Sequence, residues 1–392
     1  MADRETEFVF DDFSSETLRQ RGTIKWSLFE PDVIACWVAE MDFSTAPAVR
    51  EAVRAAVERQ EFGYPARDEM NGLPEAVAEF QRSRYGWTVE PSRVHTLPDV
   101  LKGIELAIRH FSPEGSPVIL STPAYMPFFE LPNVTRRRIV EVPVLFDHGV
   151  YRMDVDRIES NLAAGARTVV LCNPYNPLGR SFSRAELSEL ASVVDLHAGR
   201  VVADEIHAPL TYPDRRHTPY ASLSDVTASH TITLTSASKG WNLPGLKCAQ
   251  LIISNALDGE RWSSLSMLDT HGASTLGIAS NLAAYRDGGS WLDAVVTYLD
   301  GNRKYLAELL ATHLPAVSYT PPEASYLAWL DCRGLELDVE PADFFLEKAR
   351  VATNHGPAFG APGEGHVRFN FATSRSILAQ AVEAMGEAVS RR

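Results

Sequence analysis

The sequence predicts an α/β fold with a mostly parallel central sheet and a second, smaller α+β region. Between about residues 95 and 240, helical patterns alternate with four short β-rich runs, SPVILS, TVVLCNP, RVVADEI and TITLTSAS. Strands buried on both faces read as continuous apolar runs, and their alternation with helices is typical of parallel sheets. After about residue 290 the strand-like segments SYLAWLD and VRFNFA lie among longer helical stretches, which indicates a change of architecture.

The remaining elements follow in chain order. The N-terminal segment reads as an irregular arm that closes on the apolar run VIACWVAEMDF. A helix is predicted from Thr45, because Pro47 stands in its first turn and valines recur every four residues. Ser183 and Glu186 form a capping box that opens another helix. Further helices are predicted at 291–313, 341–350 and 376–390.

The change of pattern near residue 290 divides the chain into two units. We predict a large domain over 46–289, and a small domain made from 1–45 together with 290–392. The sequence contains no low-complexity linker between them and no internal repeat.

Length and charge narrow the class of function. The 392 residues are enough for a sizeable core, and 37 Lys+Arg against 51 Asp+Glu give a formal charge of −14. Nucleic acids and anionic membranes are bound by basic surfaces, so this composition disfavours both partners. We therefore expect a small-molecule partner.

Cysteine spacing and the N-terminus bear on the compartment. Four cysteines, Cys36, Cys172, Cys248 and Cys332, lie far apart without a CxxC pair, which disfavours disulfides and structural zinc. The N-terminus has no basic stretch before an apolar run, and no run of about 18 apolar residues occurs. We expect a reduced, cytoplasmic protein that needs neither a metal nor a membrane.

Polar residues follow three of the β-rich runs. Asn176 follows the second run, Asp204 and His207 follow the third, and Lys239 follows the fourth. Taken singly, each is ordinary, because such residues also punctuate loops, cap helices or point into solvent. Together, at neighbouring carboxyl ends of strands, they supply what pyridoxal 5′-phosphate (PLP) needs: a lysine for the Schiff base, a carboxylate for the pyridine nitrogen and a neutral donor for O3′.

The same residues carry a resemblance to a known family. The sequence is similar to the fold-type I PLP enzymes of the aspartate aminotransferase superfamily, and within them to the MalY/PatB group of cystathionine β-lyase-like C–S lyases. This resemblance covers nearly the whole chain. The matching blocks include CWVAEMDF (36–43), FGYP (62–65), STPAYMPF (121–128), CNPYNPLGR (172–180), ADEIHAPL (203–210), SASKGWNLPGLK (236–247) and VRFNFATSR (367–375).

The resemblance implies an aspartate aminotransferase-like fold whose large-domain sheet is of the seven-stranded type, PLP as the cofactor, and a set of residue roles. Lys239 is the Schiff-base lysine and moves the proton at the substrate Cα, Asp204 pairs with the pyridinium, and Tyr125 stacks on the ring. Asn176 and His207 lie near the ring O3′. The expected phosphate contacts come from Val100, Leu101, Ser236, Ser238, Lys247 and Tyr64.

Substrate binding and assembly follow from the same resemblance. Arg368 binds the α-carboxylate of an amino-acid substrate, with Asn176 and Tyr64 nearby. Trp37 lines the substrate pocket or belongs to the core. Tyr64 reaches the phosphate of the neighbouring subunit, so the resemblance implies a homodimer with shared active sites.

The implied reaction is α,β-elimination from an S-substituted L-cysteine to a thiol, pyruvate and ammonia. Three alternatives stay open: an aminotransferase, a decarboxylating or oxidative deamination variant, and a regulator that keeps the PLP fold. Four positions depart from residues common in the group, namely Glu40, Asp99, Tyr175 and Trp241. Bulkier aromatics at 175 and 241 are expected to reshape the substrate cavity toward a large S-conjugate, unless the four departures are neutral.

Overall fold

The structure is a computed structural model that describes residues 8–11 and 13–392. Residues 1–7 and 12, which belong to the predicted N-terminal arm, lie outside the described residues. The strands are β1 (Ile34–Ala35), β2 (Val94–Leu97), β3 (Val118–Thr122), β4 (Ile139–Pro143), β5 (Leu145–Asp147), β6 (Val150–Arg152), β7 (Thr168–Cys172), β8 (Arg200–Asp204), β9 (Thr231–Thr235), β10 (Ala249–Ile253), β11 (Ser318–Tyr319), β12 (Leu327–Asp331), β13 (Val351–Ala352), β14 (Asn354–His355) and β15 (His366–Asn370).

The α-helices lie between and around these strands. They are α1 (Ser15–Gln20), α2 (Ile24–Ser27), α3 (Pro47–Glu58), α4 (Asp68–Asn71), α5 (Leu73–Tyr85), α6 (Val100–Phe111), α7 (Leu131–Thr135), α8 (Val155–Ala163), α9 (Arg184–Leu196), α10 (Asp225–Ser229), α11 (Ala237–Gly240), α12 (Ala256–Ser263), α13 (Met267–Thr270), α14 (Thr275–Asp287), α15 (Gly289–His313), α16 (Pro341–Phe344) and α17 (Arg375–Ser390).

The large sheet has seven strands in the order β2-β10-β9-β8-β7-β3-β4. β10 runs antiparallel to both of its neighbours, whereas the other pairs are parallel. The central strands β3, β7 and β9 are buried along their whole length, as expected for strands covered by helices on both faces. The predicted mostly parallel sheet is confirmed.

Strand order reverses between β3 and β7. From β3 the sheet continues to β4 on one side, and from β7 it continues through β8 and β9 on the other. The connections on the two sides therefore diverge and leave a crevice outside the carboxyl ends of the central strands. Such a switch point is where open α/β sheets bind ligands.

Local signals set the helix boundaries near this edge. The Asp99 carboxylate caps α6 by accepting a hydrogen bond from the Lys102 N–H at 2.8 Å. The predicted capping box at the start of α9 is present in full. The predicted helix over 341–350 is divided, because α16 ends at Phe344 and a π-helical turn occupies Phe345–Ala349.

The C-terminal part forms a four-stranded antiparallel sheet in the order β11-β12-β15-β14, with α15 and α17 packed against each other nearby. The N-terminal segment joins this part, because β1 pairs in parallel with β13 through Ile34 and Val351. The predicted boundary at residue 290 falls at the start of α15. The division into two domains stays a prediction.

Two further facts concern the described chain as a whole. All four cysteines are buried thiols outside any disulfide, and burial raises the pKa of Cys36 to about 12. None of the described helices combines the length and apolar character needed to span a bilayer.

Candidate active site

A cavity of about 190 Å³ opens where β7, β8 and β9 end. We call it the site cavity. Parallel strands bring their carboxyl ends to one edge, so residues distant in sequence meet there. Ten residues that the sequence predicts as site residues line it: Val100, Leu101, Tyr125, Asn176, Asp204, His207, Ser236, Ser238, Lys239 and Lys247.

The Lys239 amine projects from α11 into this cavity without a carboxylate partner among the described residues. Its Nζ donates a hydrogen bond to the Ala39 carbonyl at 2.9 Å. Burial, reinforced by the positive charge of Arg368, lowers the pKa of Lys239 to about 8. A sizeable fraction of the amine is therefore neutral near physiological pH and able to accept a proton.

Asp204 ends β8 and is buried, and its Oδ1 accepts a hydrogen bond from the Ile206 N–H at 3.2 Å. Burial raises the pKa of this carboxyl to about 7. His207 is also buried, with its Nδ1 3.1 Å from the Ser325 hydroxyl oxygen. Burial lowers the pKa of His207, so its ring is neutral beside the two cations of the site.

Arg368 lies on β15 and is only 2% exposed. It does not line the site cavity, but it contacts Asn176, which does. Its guanidinium donates to neutral oxygens alone: Asn176 Oδ1 at 3.1 Å, the Trp37 carbonyl at 3.1 Å and Asn354 Oδ1 at 2.6 Å. Its Nε is buried without a partner in the described structure. Burial lowers the pKa of Arg368 to about 10, which still leaves it charged. A buried cation without a carboxylate partner is suited to an anionic ligand.

The other end of the cavity lies at the start of α6. The N–H groups of Val100 and Leu101 stand in its first turn, where backbone donors have no partner within the helix. The Lys247 ammonium lies beside them, 3.0 Å from the Asp99 carboxylate. A helix start with a nearby lysine is an anion-binding arrangement, and here Asp99 partly neutralises the lysine.

Two serines complete this end. The Ser236 hydroxyl donates to the Cys248 carbonyl at 2.7 Å and accepts from the Ser238 N–H at 3.0 Å, so it caps the short helix that carries Lys239. Ser238 lines the cavity directly.

Besides Arg368, two predicted residues, Trp37 and Tyr64, do not line the cavity. The Trp37 indole N–H donates to the Lys25 carbonyl at 3.0 Å, and only the Trp37 backbone carbonyl contacts Arg368. The Tyr64 side chain is fully exposed. Its loop is held by the Thr275 hydroxyl, which donates to the Gly63 carbonyl at 2.7 Å beside the Lys247 end of the cavity.

The expectation that Tyr175 and Trp241 reshape the cavity is wrong. Both side chains are buried in the core and neither lines the cavity. The Tyr175 hydroxyl donates to the Ser121 carbonyl at 2.7 Å, and the Trp241 indole donates to the Gly288 carbonyl at 2.9 Å. These aromatics therefore stabilise the scaffold behind the site and do not form its wall.

The segment 37–41 forms one wall of the site, and sequence reasoning missed how it is held. The Ala39 carbonyl accepts hydrogen bonds from both Lys239 and the Tyr326 hydroxyl, each at 2.9 Å. Tyr326 immediately precedes β12, where its aromatic character suggested only core packing.

Two asparagines fix the same segment. The Asn370 side chain donates to the carbonyls on either side of Ala39, at 2.6 and 2.7 Å. The Asn242 side chain both accepts from the Met41 N–H, at 2.9 Å, and donates to its carbonyl, at 2.8 Å. Asn370 is the last residue of the buried strand β15, and an amide at the end of such a strand was the available signal in the sequence.

The fold and the site together define a class of α/β enzymes with a lysine at the carboxyl ends of the parallel strands. Similarity to known proteins identifies the family. The family model for aminotransferase class I and II matches residues 32–385. The chain therefore belongs to this family, and it has the aspartate aminotransferase-like fold that the sequence predicted.

Individual relatives are more specific. The chain is 40% identical over 363 residues to a cystathionine beta-lyase from Corynebacterium glutamicum, covering 93% of this chain and 95% of that protein. It is 34% identical over 362 residues to the cystathionine beta-lyase PatB of Bacillus subtilis, covering 92% and 93%. It is similar in structure to the PLP-bound C-S lyase from Staphylococcus hominis, with a TM-score of 0.90 and 27% identity over 98% of this chain and 100% of that one.

Proposed function

We propose that this protein is a PLP-dependent C–S β-lyase that cleaves an S-substituted L-cysteine, either cystathionine-like or a bulkier cysteine S-conjugate. The observation that carries the reaction type is the 40% identity, over 93% of the chain, to a cystathionine beta-lyase. The geometry supports it, because the lysine and the carboxylate that such chemistry needs line one cavity, and the arginine contacts Asn176 in the wall of that cavity.

The residues present fit PLP. Lys239 offers an amine of lowered pKa for the cofactor aldehyde, and Asp204 is a buried carboxylate with room for a partner in the cavity. The start of α6, with Ser238 and Lys247, offers donors for a phosphate. Bound PLP supplies an electron-withdrawing ring that stabilises negative charge at the substrate Cα.

Each residue then has a defined task. Arg368 binds the substrate carboxylate with its fork of N–H donors and so orients the Cα–H bond. Neutral Lys239 accepts the Cα proton. With PLP bound, Asp204 would hold a proton on the ring nitrogen, Asn176 and His207 would hydrogen-bond the ring oxygen, and Tyr125 would pack on the ring face.

The overall reaction balances without a second substrate. The Cα–H and Cβ–S bonds break, the sulfur leaves as a thiol, and one water is consumed as pyruvate and ammonium form. An oxidant or a keto-acid acceptor is not required, which separates this reaction from oxidative deamination and from transamination.

We also propose that the chain acts as a homodimer with shared active sites. Large apolar side chains are exposed on the Tyr64 loop, on α4 and on α13. They include Phe62, Tyr64, Met70, Met267 and Leu268. A second copy that covers this surface would bring its own Tyr64 toward the phosphate end of the site.

The decisive experiment measures products. Holoenzyme is incubated with cystathionine and with cysteine S-conjugates of increasing bulk, without a keto acid, in the presence and absence of oxygen. We expect equal amounts of thiol, pyruvate and ammonia, independent of oxygen. Lys239→Ala should release none, whereas Lys304→Ala, which removes an exposed lysine of α15, should match the wild type.

Other outcomes would change the assignment. Product formation only when a keto acid is added would establish an aminotransferase. Release of carbon dioxide, or consumption of oxygen in step with ammonia, would establish the decarboxylating or oxidative variant. Absence of turnover with a bound cofactor would favour a regulator.

A further inference from the structure

A second and larger cavity lies at the opposite edge of the central sheet. It has a volume of about 1170 Å³ and is formed by the ends of α6, α7 and α9, by α12, and by the residues that lead into β8 and β9. We call it the arginine cavity. Arg200, at the start of β8, lines it, whereas Asp204, at the end of the same strand, lines the site cavity. At about 3.3 Å per residue the two cavities are roughly 13 Å apart along that strand.

The lining of the arginine cavity is basic in a chain of formal charge −14. Against two carboxylates, Glu114 and Asp195, it contains five arginines: Arg109, Arg136, Arg137, Arg200 and Arg261. Two of the five are paired with carboxylates outside the lining, Arg109 with Glu105 and Arg200 with Asp258. The other three have no ion pair with any described residue.

Arg137 is the distinctive member of this group. Its side chain is only 9% exposed, and its Nε is buried without a hydrogen-bond partner. No side chain or carbonyl in the described chain accepts a hydrogen bond from its guanidinium. Arg303, which is equally buried, shows how the fold satisfies such a group elsewhere: it pairs with Asp300 and Asp214 and donates to the Pro322 carbonyl.

The Arg137 Nε is a desolvated donor without an acceptor, which costs free energy, whereas the two terminal nitrogens of the same guanidinium remain accessible to a ligand. The cost is removed when a ligand provides the acceptor. The planar fork of a guanidinium matches the oxygens of a phosphate or carboxylate. Three unpaired arginines exceed what a single carboxylate can neutralise, which favours a ligand that carries several negative charges.

We propose that the arginine cavity binds a small molecule with at least two phosphate groups, and that Arg137 makes the central bidentate contact. Arg136 and Arg261 lie on the rim, where they add charge to the same ligand. The cavity is large enough for a molecule of nucleotide size, so inorganic pyrophosphate and a nucleoside diphosphate share the required chemistry.

Calorimetric titration of the PLP-loaded enzyme at 150 mM salt tests this site, with inorganic pyrophosphate and ADP as probes. We expect saturable binding that weakens about ten-fold or more in Arg137→Gln. Arg391→Gln, which removes an exposed arginine of the C-terminal helix region, is the matched control and should bind like the wild type. Tighter binding of ADP identifies a nucleotide ligand, and equal binding shows that the phosphates alone are recognised.

Thermal unfolding separates a lost ligand contact from a damaged fold. Without added anion, Arg137→Gln should unfold at or above the wild-type temperature, because the substitution removes a buried donor that has no acceptor. Pyrophosphate should raise the unfolding temperature of the wild type by more than that of the variant. Equal shifts in both proteins would overturn the proposal. So would absence of binding to the wild type, or binding that alters the visible spectrum of the cofactor and disappears in Lys247→Ala.

Discussion

The two ends of the site cavity differ in burial. The buried end contains Asp204 and His207, whose side chains are at most 5% exposed, together with the Lys239 amine, and the buried Arg368 lies behind Asn176. The open end contains Asp99 and Lys247, with exposed fractions of 39% and 59%, and the fully exposed Tyr64 lies outside the cavity. At the buried end, desolvation shifts every pKa toward the neutral form of the group.

This difference in burial separates the residues that act on the substrate from those that hold the cofactor. The buried end has its reactive groups positioned by one chain, so substitutions there should affect bond breaking or substrate orientation. The open end is incomplete and solvated, and substitutions there should mainly change cofactor affinity. The following predictions test that division, in order of decreasing effect.

Asp204→Asn should have the largest effect. Asparagine cannot keep a proton on the ring nitrogen, so the stabilisation of negative charge at Cα is lost. We expect kcat to fall about 10²- to 10³-fold in assays of pyruvate release, with the cofactor still bound. Asp204→Glu retains a carboxylate and should recover part of the activity. A kcat within a few fold of the wild type would place the chemistry elsewhere.

The same substitution has a predicted effect on stability in the cofactor-free protein. The folded carboxyl holds its proton up to a pKa of about 7, whereas the unfolded carboxyl holds it only to 3.8. The free energy of unfolding therefore falls as pH rises through this window, and the loss is complete above about pH 7. Denaturant unfolding from pH 4 to 8 should show a smaller fall for Asp204→Asn, whose stability at pH 8 should exceed that of the wild type.

Arg368→Gln should come next. Removing charge-assisted hydrogen bonds to the substrate carboxylate should lower kcat/KM about 100-fold, mainly through KM. The methyl ester of the same substrate lacks that carboxylate charge. The wild type should prefer the acid strongly and the variant should not. A variant that still discriminates between acid and ester would contradict this role.

Tyr64→Phe should reduce cofactor affinity about ten-fold, the size expected for losing one hydrogen bond to a charged group. Hybrid dimers of Tyr64→Phe and Lys239→Ala chains, purified with two different tags, test whether the site is shared. If Tyr64 acts across the dimer, the hybrid contains one intact site, with wild-type affinity and half the wild-type activity. A hybrid whose active site retains the weakened affinity would show that Tyr64 acts within its own chain.

Asp99→Asn should have the smallest effect and the opposite sign. Asparagine still caps α6, but it no longer places a negative charge beside Lys247 and the phosphate. We expect cofactor affinity to rise about two- to five-fold, measured by fluorescence titration of cofactor-free protein. Asp154→Asn changes another N-cap aspartate, that of α8, and should leave the affinity unchanged. Weaker binding in Asp99→Asn would show that its carboxylate assists the phosphate.

The sequence predicted the parts of this molecule that follow from local pattern. Apolar runs and capping residues predicted the parallel sheet and the long helices, because strand burial and helix capping act within a few residues. Lys239, Asp204 and Asn176 could be predicted as a group because each follows a buried strand, and parallel strands end at one edge.

The remaining features depend on distant contacts. Asn354 contacts Arg368 only because β14 pairs with β15, and Tyr326 contacts Ala39 across a sequence separation of 287 residues. Trp241 was predicted to line the cavity because it is close to Lys239 in sequence. That prediction failed because successive residues of a helical turn point in different directions. A sequence pattern predicts whether a segment forms a helix or a strand, but it does not predict which face of that element packs against which neighbouring element.

The attachment of segment 37–41 constrains how the protein is made. This segment is synthesised early, but the Asn370 amide that holds its carbonyls follows it by 332 residues. During translation the Asn242 contacts become available first, and the attachment of this wall is complete only after Asn370 has been synthesised. Contacts of such long sequence separation form late, so catalytic competence should be the last property that the nascent chain acquires.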